Sequence, residues 1–382
     1  MPTPAAGAFI KAVVEKQSFS WDSTLATAIR NENEHIHALS QLTLAPAQAP
    51  AAAKYVESLT PDARRDLLDL ADSNHVVVRS LESVLQHSGS SELIAWANEA
   101  LNAERARIQN ALRHLDLITN ELEANGCPVC VMKSLDHWPD LGNDLDLYTT
   151  APDEKVVDVL SGKMGARIEP RSWGDRLAHK WNFAFSGLRE SVEVHAQRLG
   201  QTGEHIALAQ RFVTRRVSME RGGYTFMVPA PEERIVVATL QRMYRHFYFR
   251  VCDIVNSAAI VESGELDYSE LKRSAEVGGI WPGVATYLKI VSDYVQQYRG
   301  TPLPLPSTVL SAARFGGEKL FVLRRFLRIP IMPEGAKLYT NQVANTAKAG
   351  NVPATFRLSL LPPLAATAAV AFKITGDDKG IW

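Results

Sequence analysis

Two short segments, VMKS at residues 131–134 and DLDL at residues 144–147, carry the strongest signal in this chain. Each has the length and apolar content of a short strand, and nine residues separate them. Asp144 and Asp146 stand two residues apart, so on a strand both side chains project from one face. Like charges at that spacing repel unless a cation lies between them, and Mg²⁺ is commonly bound by carboxylates together with substrate phosphates. The spacing therefore predicts a metal site, with two solvated aspartates on an edge strand as the alternative.

A further strand with alternating residues is predicted at SVEVH, residues 191–195. By alternation Glu193 and His195 share one face, while Val192 and Val194 face the core. Glu193 is therefore the candidate third carboxylate. His195 is interpreted either as a metal or substrate ligand or as a histidine hydrogen-bonded to a neighbouring carboxylate.

The rest of the chain frames this region with helices. Residues 20–123 show apolar residues at helical spacing, with a helix start at Thr60-Pro61 and an irregular Ala- and Pro-rich connection at 44–53. The pattern predicts an α+β fold: a small mixed sheet between helical regions. The predicted parts are a helical region 1–123, an α+β core 124–230, a helical domain 231–300 and a helical or irregular extension 301–382.

Composition limits the functional classes. The 382 residues are 46% hydrophobic and 22% charged, which is typical of a globular protein. The 41 basic and 42 acidic residues nearly balance. A nucleic-acid partner is possible but is not supported by this net charge.

Cysteines and targeting signals point to a reducing compartment. Cys127 and Cys130 have CxxC spacing, typical of a redox pair or half a zinc site, but they lead into an apolar run and are interpreted as core residues. The first 17 residues lack the apolar run of a signal peptide. The longest apolar stretch, 357–373, is shorter than the roughly 20 residues of a membrane span. We expect a soluble, cytoplasmic protein without a membrane partner.

Together, these segments resemble the nucleotidyltransferase superfamily typified by polymerase β. Its pattern is a hydrophobic residue, Gly, then Gly or Ser, a spacer, and Asp-hydrophobic-Asp/Glu-hydrophobic; residues 132–134 and 144–147 are similar, with Lys133 at the usual glycine. In a poorly characterised bacterial branch the first element reads Leu-Lys-Gly, and the third acidic strand reads hydrophobic-Asp-hydrophobic-His. Residues 192–195 are similar to the latter, with Glu for Asp. The resemblance covers roughly residues 125–280.

The resemblance implies that Asp144, Asp146 and Glu193 form the catalytic site and bind Mg²⁺ or Mn²⁺. It also implies nucleotide contacts from the loops that precede and follow the predicted strands: Lys133, Ser134, Gly142 and Asn143. Two roles stay open from the residues themselves. Lys133 either contacts phosphate or pairs with a nearby aspartate. Ser134 either binds the triphosphate or is a loop serine.

Two other polar stretches also have alternative interpretations. Residues 242–250 combine arginines with aromatic residues, and on a helix Arg242, Arg245 and Phe249 share one face. That face predicts nucleotide binding by Arg245; the alternative is a helix with core aromatics, solvated arginines and an Arg250–Asp253 ion pair. Residues 179–182 (HKWN) contain a cation and an aromatic ring that could contact a nucleotide, but they are interpreted as an ordinary surface strand.

Two functional hypotheses follow. In the first, the protein transfers a nucleoside monophosphate from an NTP to an unknown acceptor hydroxyl on a small molecule, protein or RNA, mainly by positioning and charge neutralisation. In the second, it is a catalytically inactive nucleotide-binding or protein-interaction module on the same fold.

Overall fold

In the computed structural model, residues 23–364 and 366–367 are described. The N-terminal segment and the end of the apolar stretch 357–373 therefore lie outside the described residues. None of the described helices is both long and apolar enough to cross a bilayer.

The first described part is helical, as predicted. Its helices are α1 Ser23–Leu44, α2 Ala49–Ser58, α3 Pro61–Ser73, α4 Val77–His87 and α5 Ser91–Ala124. Thr60 caps α3 by accepting a hydrogen bond from the Ala63 N–H. The prediction of an irregular connection at 44–53 is wrong for residues 49–53, which belong to α2. Four of the first five residues of α2 are alanine, a strong helix former, and its inner face is buried.

A five-stranded mixed sheet follows. Its strands are β1 Val129–Met132, β2 Asp144–Thr149, β3 Arg167–Ile168, β4 Lys180–Ala184 and β5 Ser191–Ala196. The order is β1-β2-β5-β4-β3, in which β2 and β5 run parallel and every other pair is antiparallel. Two short helices, α6 Asp153–Val157 and α7 Trp173–Leu177, connect strands. β3 has two residues, too few for alternation to predict it.

The next part, residues 206–300, includes the region 231–300 that was predicted as a helical domain, and that region is only partly helical. The whole part comprises α8 Ile206–Thr214, β6 Arg216–Arg221, β7 Tyr224–Pro229, α9 Pro231–Thr239, β8 Tyr248–Phe249, α10 Val251–Glu262, α11 Tyr268–Val277 and α12 Trp281–Arg299. After α9 the chain widens into a π-helical turn, Leu240–His246, which ends where Phe247 adopts a left-handed conformation. The single helical face predicted for Arg242, Arg245 and Phe249 does not exist, because Phe249 already belongs to β8.

The last described part is helical with a small sheet. Its elements are α13 Ser307–Ala312, β9 Phe321–Leu323, β10 Phe326–Arg328, α14 Ala336–Lys348 and α15 Val352–Ser359. β10 lies between β9 and β8, so the extension pairs with the segment that follows the π-helical turn. The α+β class is confirmed, with a mixed sheet between helical regions. One buried apolar cluster runs from Ile36 to Leu338, and the division into four parts stays a prediction.

Candidate metal and nucleotide site

The parallel pairing of β2 and β5 brings the acidic residues together. Asp146 is paired in register with Glu193, and Asp144 with Ser191, so alternation puts the carboxylates on one face of the sheet. Ligand atoms of Asp146, Glu193 and His195 all lie within 4.8 Å of one another. Asp144 lies at the exposed start of β2 and is not part of this set. The tightest potential ligand set thus contains His195, where the sequence predicted Asp144.

Basic side chains neutralise these carboxylates. Lys133 Nζ lies 2.7 Å from Asp146 Oδ1, and Lys180 Nζ lies 2.8 Å from Glu193 Oε2. His195 Nε2 lies 2.8 Å from Glu193 Oε1. The Lys180 side chain also pairs with Asp175 and is only 11% exposed, so the strand that was interpreted as ordinary surface contributes a cation to this cluster. Of the two roles left open for Lys133, phosphate contact or pairing with an aspartate, the structure contains the pair with Asp146.

Burial and charge set the protonation of the cluster. Burial raises the pKa of Asp146 to about 6, because loss of water disfavours the carboxylate more than Lys133 favours it. Burial acts on Glu193 in the same direction, but the hydrogen bond from His195 and the charge of Lys180 hold its pKa well below the usual value. Burial lowers the pKa of His195. At neutral pH both carboxylates are ionised, and Asp146 is the first to take up a proton on acidification.

The turn after β1 has glycine-like geometry although its residue is Lys133. Its φ of 56° lies in the region that L-residues seldom adopt and that glycine adopts readily. The next side chain, Ser134, is 1% exposed. Its hydroxyl accepts a hydrogen bond from the Asp146 N–H at 2.8 Å and donates one to the Asp144 carbonyl at 3.2 Å. Ser134 therefore holds the turn against β2.

The N-terminal helices position the loop that precedes β2. From α5, Arg107 donates hydrogen bonds to the carbonyls of Leu141 and Gly142. The carboxylate of Asp140 accepts the Val78 N–H at 2.6 Å and thereby caps the start of α4. These contacts fix the loop that presents Asp144, with partners that the sequence did not indicate.

Basic residues, here called the arginine wall, line the same cleft of about 180 Å³ as the carboxylates. Arg242, on the π-helical turn, is 1% exposed and pairs with Asp253 at 2.7 Å. Among the described residues its Nη1 has no hydrogen-bond partner. The wall also contains Arg245, His246 and Arg250. The Arg250–Asp253 helix ion pair is not formed, because Asp253 accepts the Arg250 backbone N–H and directs its charge to Arg242.

All predicted site residues line this one cleft, although their roles stay predictions. They are Lys133, Ser134, Gly142, Asn143, Asp144, Asp146, Glu193 and Arg245. The cleft also contains residues that were not selected from sequence: His75, His137, Gln241, Arg242, His246, Tyr248 and Arg250. For the cleft residues that belong to the segment 242–250, the basic and aromatic composition of that segment was the sequence feature that could have indicated them. For His75 and His137 the sequence holds no signal.

The CxxC cysteines take no part in this cluster. Cys127, Cys130 and Cys252 are free and buried, as the core interpretation predicted for the first two. Burial raises the pKa of the Cys130 thiol, so it lacks the thiolate character of a reactive cysteine.

Comparison with known proteins gives little further information. No family model and no curated protein matches the chain. One matching solved structure is an antigenic nucleotidyltransferase-like protein from Paracoccidioides brasiliensis, with 13% sequence identity and a TM-score of 0.30. That match covers 50% of this chain and 93% of the other. At this level of similarity, function has to be inferred from the residues of the cleft.

Proposed function

We propose that the cleft binds an NTP with Mg²⁺ or Mn²⁺ and transfers its nucleoside monophosphate to an acceptor hydroxyl. The observation that carries the proposal is that one cleft is lined both by Asp144, Asp146 and Glu193 on the sheet and by arginines on the π-helical turn and beside β8. Carboxylates alone suit a metal ion, and arginines alone suit a phosphate group. Both together suit a metal-bound polyphosphate.

The donor set fits a divalent metal ion. Asp146 and Glu193 supply oxygen ligands within reach of each other, Asp144 adds an exposed carboxylate beside them, and His195 offers a nitrogen. Oxygen ligands suit Mg²⁺, and an imidazole among them suits Mn²⁺ as well. A bound divalent ion would neutralise phosphate charge during transfer.

The protein groups would then act by positioning and by proton transfer. Arg242 and Arg250 would hold the β- and γ-phosphates, and Lys133 would move from Asp146 towards phosphate. The acceptor oxygen forms a bond to the α-phosphorus with its lone pair. The bond from that phosphorus to the bridging oxygen breaks, and pyrophosphate leaves with the electron pair. The hydroxyl proton passes to the Glu193 carboxylate, which is ionised at neutral pH.

Titration of Mg²⁺ with a non-hydrolysable NTP against the wild type and Asp144→Asn tests this function. We expect the substitution to abolish metal-dependent binding, a loss of at least about 100-fold, on the scale of a removed site group. Folding stability should be kept or improved, because one repelling charge is gone from an exposed position. Asp116→Asn is the matched control, because Asp116 lies on α5 and does not line the cleft. Equal binding by Asp144→Asn and the wild type would contradict the metal site.

The inactive nucleotide-binding module is the second candidate. It is favoured by the Lys133–Asp146 pair, because a lysine that already neutralises the carboxylate makes a metal ion dispensable for stability. The two candidates differ in turnover. Release of pyrophosphate that depends on Asp146 and on Mg²⁺ or Mn²⁺ supports the transferase, whereas binding of NTP without such release supports the module.

A further inference from the structure

A second cavity adjoins the cleft. This α14 cavity, of about 80 Å³, lies between the end of β5, residues 199–205, the π-helical turn after α9, and α14. It shares Lys133, Gln241 and Arg245 with the cleft. The C-terminal extension therefore contributes a wall to a space that opens beside the carboxylates.

The order of residues along the parallel strands places the cavity relative to the acidic cluster. His195 follows Glu193 on β5 and lines the cavity, whereas Asp144 precedes Asp146 on β2 and lines the cleft. Asp146 and Glu193 line the cleft, and β5 continues from Glu193 to His195 in the cavity. An in-line displacement requires the attacking and leaving oxygens on opposite sides of the phosphorus. With pyrophosphate against the arginine wall, the α14 cavity lies on the side of the attacking oxygen.

The cavity lining selects an uncharged hydrogen-bonding group. His195 Nε2 lies 2.8 Å from Glu193 Oε1, which leaves Nδ1 as the ring nitrogen that faces a ligand. That Nδ1 is buried without a partner among the described residues, and His195 is 5% exposed. Lys133 and Arg245 at the shared border disfavour an ammonium group, and Glu204 in the lining disfavours an anion. A hydroxyl group meets all three conditions.

The size and polarity of the α14 cavity narrow the range of possible ligands further. Leu199 and Val237 supply apolar wall, and the amide of Gln342, which is 2% exposed, supplies hydrogen-bonding capacity. The volume of about 80 Å³ is about half that of the roughly 150 Å³ cavity known to take benzene, so it admits a chain of a few heavy atoms. Folded RNA cannot enter a space of this size.

We infer that the α14 cavity holds the hydroxyl-bearing end of a small uncharged polyol, and that this polyol is the acceptor. The inference rests on the proposed function and selects the small molecule among the possible acceptors. A hydroxyl of the polyol other than the attacking one hydrogen-bonds to His195 Nδ1, while the apolar wall and Gln342 hold the carbon chain beside it.

Glycerol, erythritol and ribitol serve as probes, titrated in the presence of Mg²⁺ and a non-hydrolysable NTP and then assayed as acceptors with α-labelled NTP. Gln342→Leu removes the amide without touching the cleft, and Asn341→Leu, the neighbouring residue outside this cavity, is the matched control. For Gln342→Leu we expect the acceptor KM to rise about tenfold or more, the scale of one lost buried hydrogen bond. The Kd for NTP should stay within about twofold, and Asn341→Leu should behave as the wild type.

Two outcomes would overturn the inference. In one, the wild type binds Mg²⁺ with NTP but neither binds nor labels any of the three polyols. In the other, Gln342→Leu weakens NTP binding itself, which would assign the cavity to the nucleobase. The wild-type titration decides the matter even if Gln342→Leu does not fold. Failure of the wild type to bind NTP is a different result, because it removes the proposed function.

Discussion

At the scale of single residues, the two carboxylates of the acidic cluster are neutralised to different extents. Asp146 is buried and the adjacent Glu193 is partly buried, yet the pKa values of the two carboxylates move in opposite directions. Glu193 has two partners, Lys180 and His195, whereas Asp146 has Lys133 alone. Burial therefore disfavours the ionised form of Asp146, which has fewer partners. Asp146 is also the carboxylate that a metal ion would stabilise most.

This asymmetry predicts how metal binding depends on pH. The folded-state pKa of Asp146 is raised to about 6 from 3.8, so ionising it opposes folding, and protonating it on acidification relieves that cost. Metal binding needs the ionised form. The Kd for Mn²⁺ should therefore be nearly constant above about pH 6 and rise about tenfold per pH unit below it. Titration calorimetry between about pH 5 and 8 measures this. A flat profile across the whole range would contradict Asp146 as a ligand.

At the scale of elements, one hydroxyl joins the turn after β1 to β2. Ser134 binds a backbone donor and a backbone acceptor of the strand that carries both aspartates. Ser134 thus has a structural role before any substrate is bound. This role differs from the two that the sequence left open, a triphosphate contact and a loop serine without a specific contact. The hydroxyl fixes the distance between Lys133 and the strand.

Ser134→Ala should therefore lower the free energy of unfolding by about 1–3 kcal/mol, because it leaves the Asp146 N–H without its partner. Urea unfolding measures the loss. Ser58→Ala, at an exposed helix end, is the control and should change stability by less than about 0.5 kcal/mol. If Ser134→Ala instead keeps full stability and only weakens NTP binding, the hydroxyl is a phosphate contact.

At the scale of the whole molecule, Asn74 joins segments that are far apart in sequence. It is fully buried at the end of α3. Its side chain donates to the Arg325 carbonyl in the β9–β10 turn and accepts the Val251 N–H at the start of α10, each at 3.0 Å. The N-terminal helices, the arginine wall and the C-terminal hairpin are thereby held in one arrangement.

Asn74→Ala should lower the free energy of unfolding by about 2–4 kcal/mol, since a buried backbone N–H and a partly buried carbonyl lose their partner. It should also weaken NTP binding, because Arg250 of the arginine wall directly precedes Val251, whose N–H Asn74 binds. Urea unfolding and nucleotide titration are the measurements. Asn110→Ala, which removes an exposed contact to the Gly187 carbonyl, is the control and should change neither quantity appreciably. Equal effects of the two substitutions would show that Asn74 does not couple these segments.

The sequence alone determined the carboxylate strands and their shared face. Alternation is a local property of the backbone, so Asp144, Asp146 and Glu193 could be oriented from their spacing. The helical flanks followed from equally local periodicity. The α+β class could therefore be predicted without any long-range contact.

Only the tertiary structure decided which charges face those carboxylates. Lys180 reaches Glu193 because β4 pairs with β5, and Lys133 reaches Asp146 through an unusual positive φ. The arginine wall depends on a π-helical turn, which the residues after α9 adopt although their pattern favours a continuous helix. Asn74 contacts partners about 180 and 250 positions away in the chain. Such contacts depend on how separate elements pack, and no local sequence pattern encodes that packing.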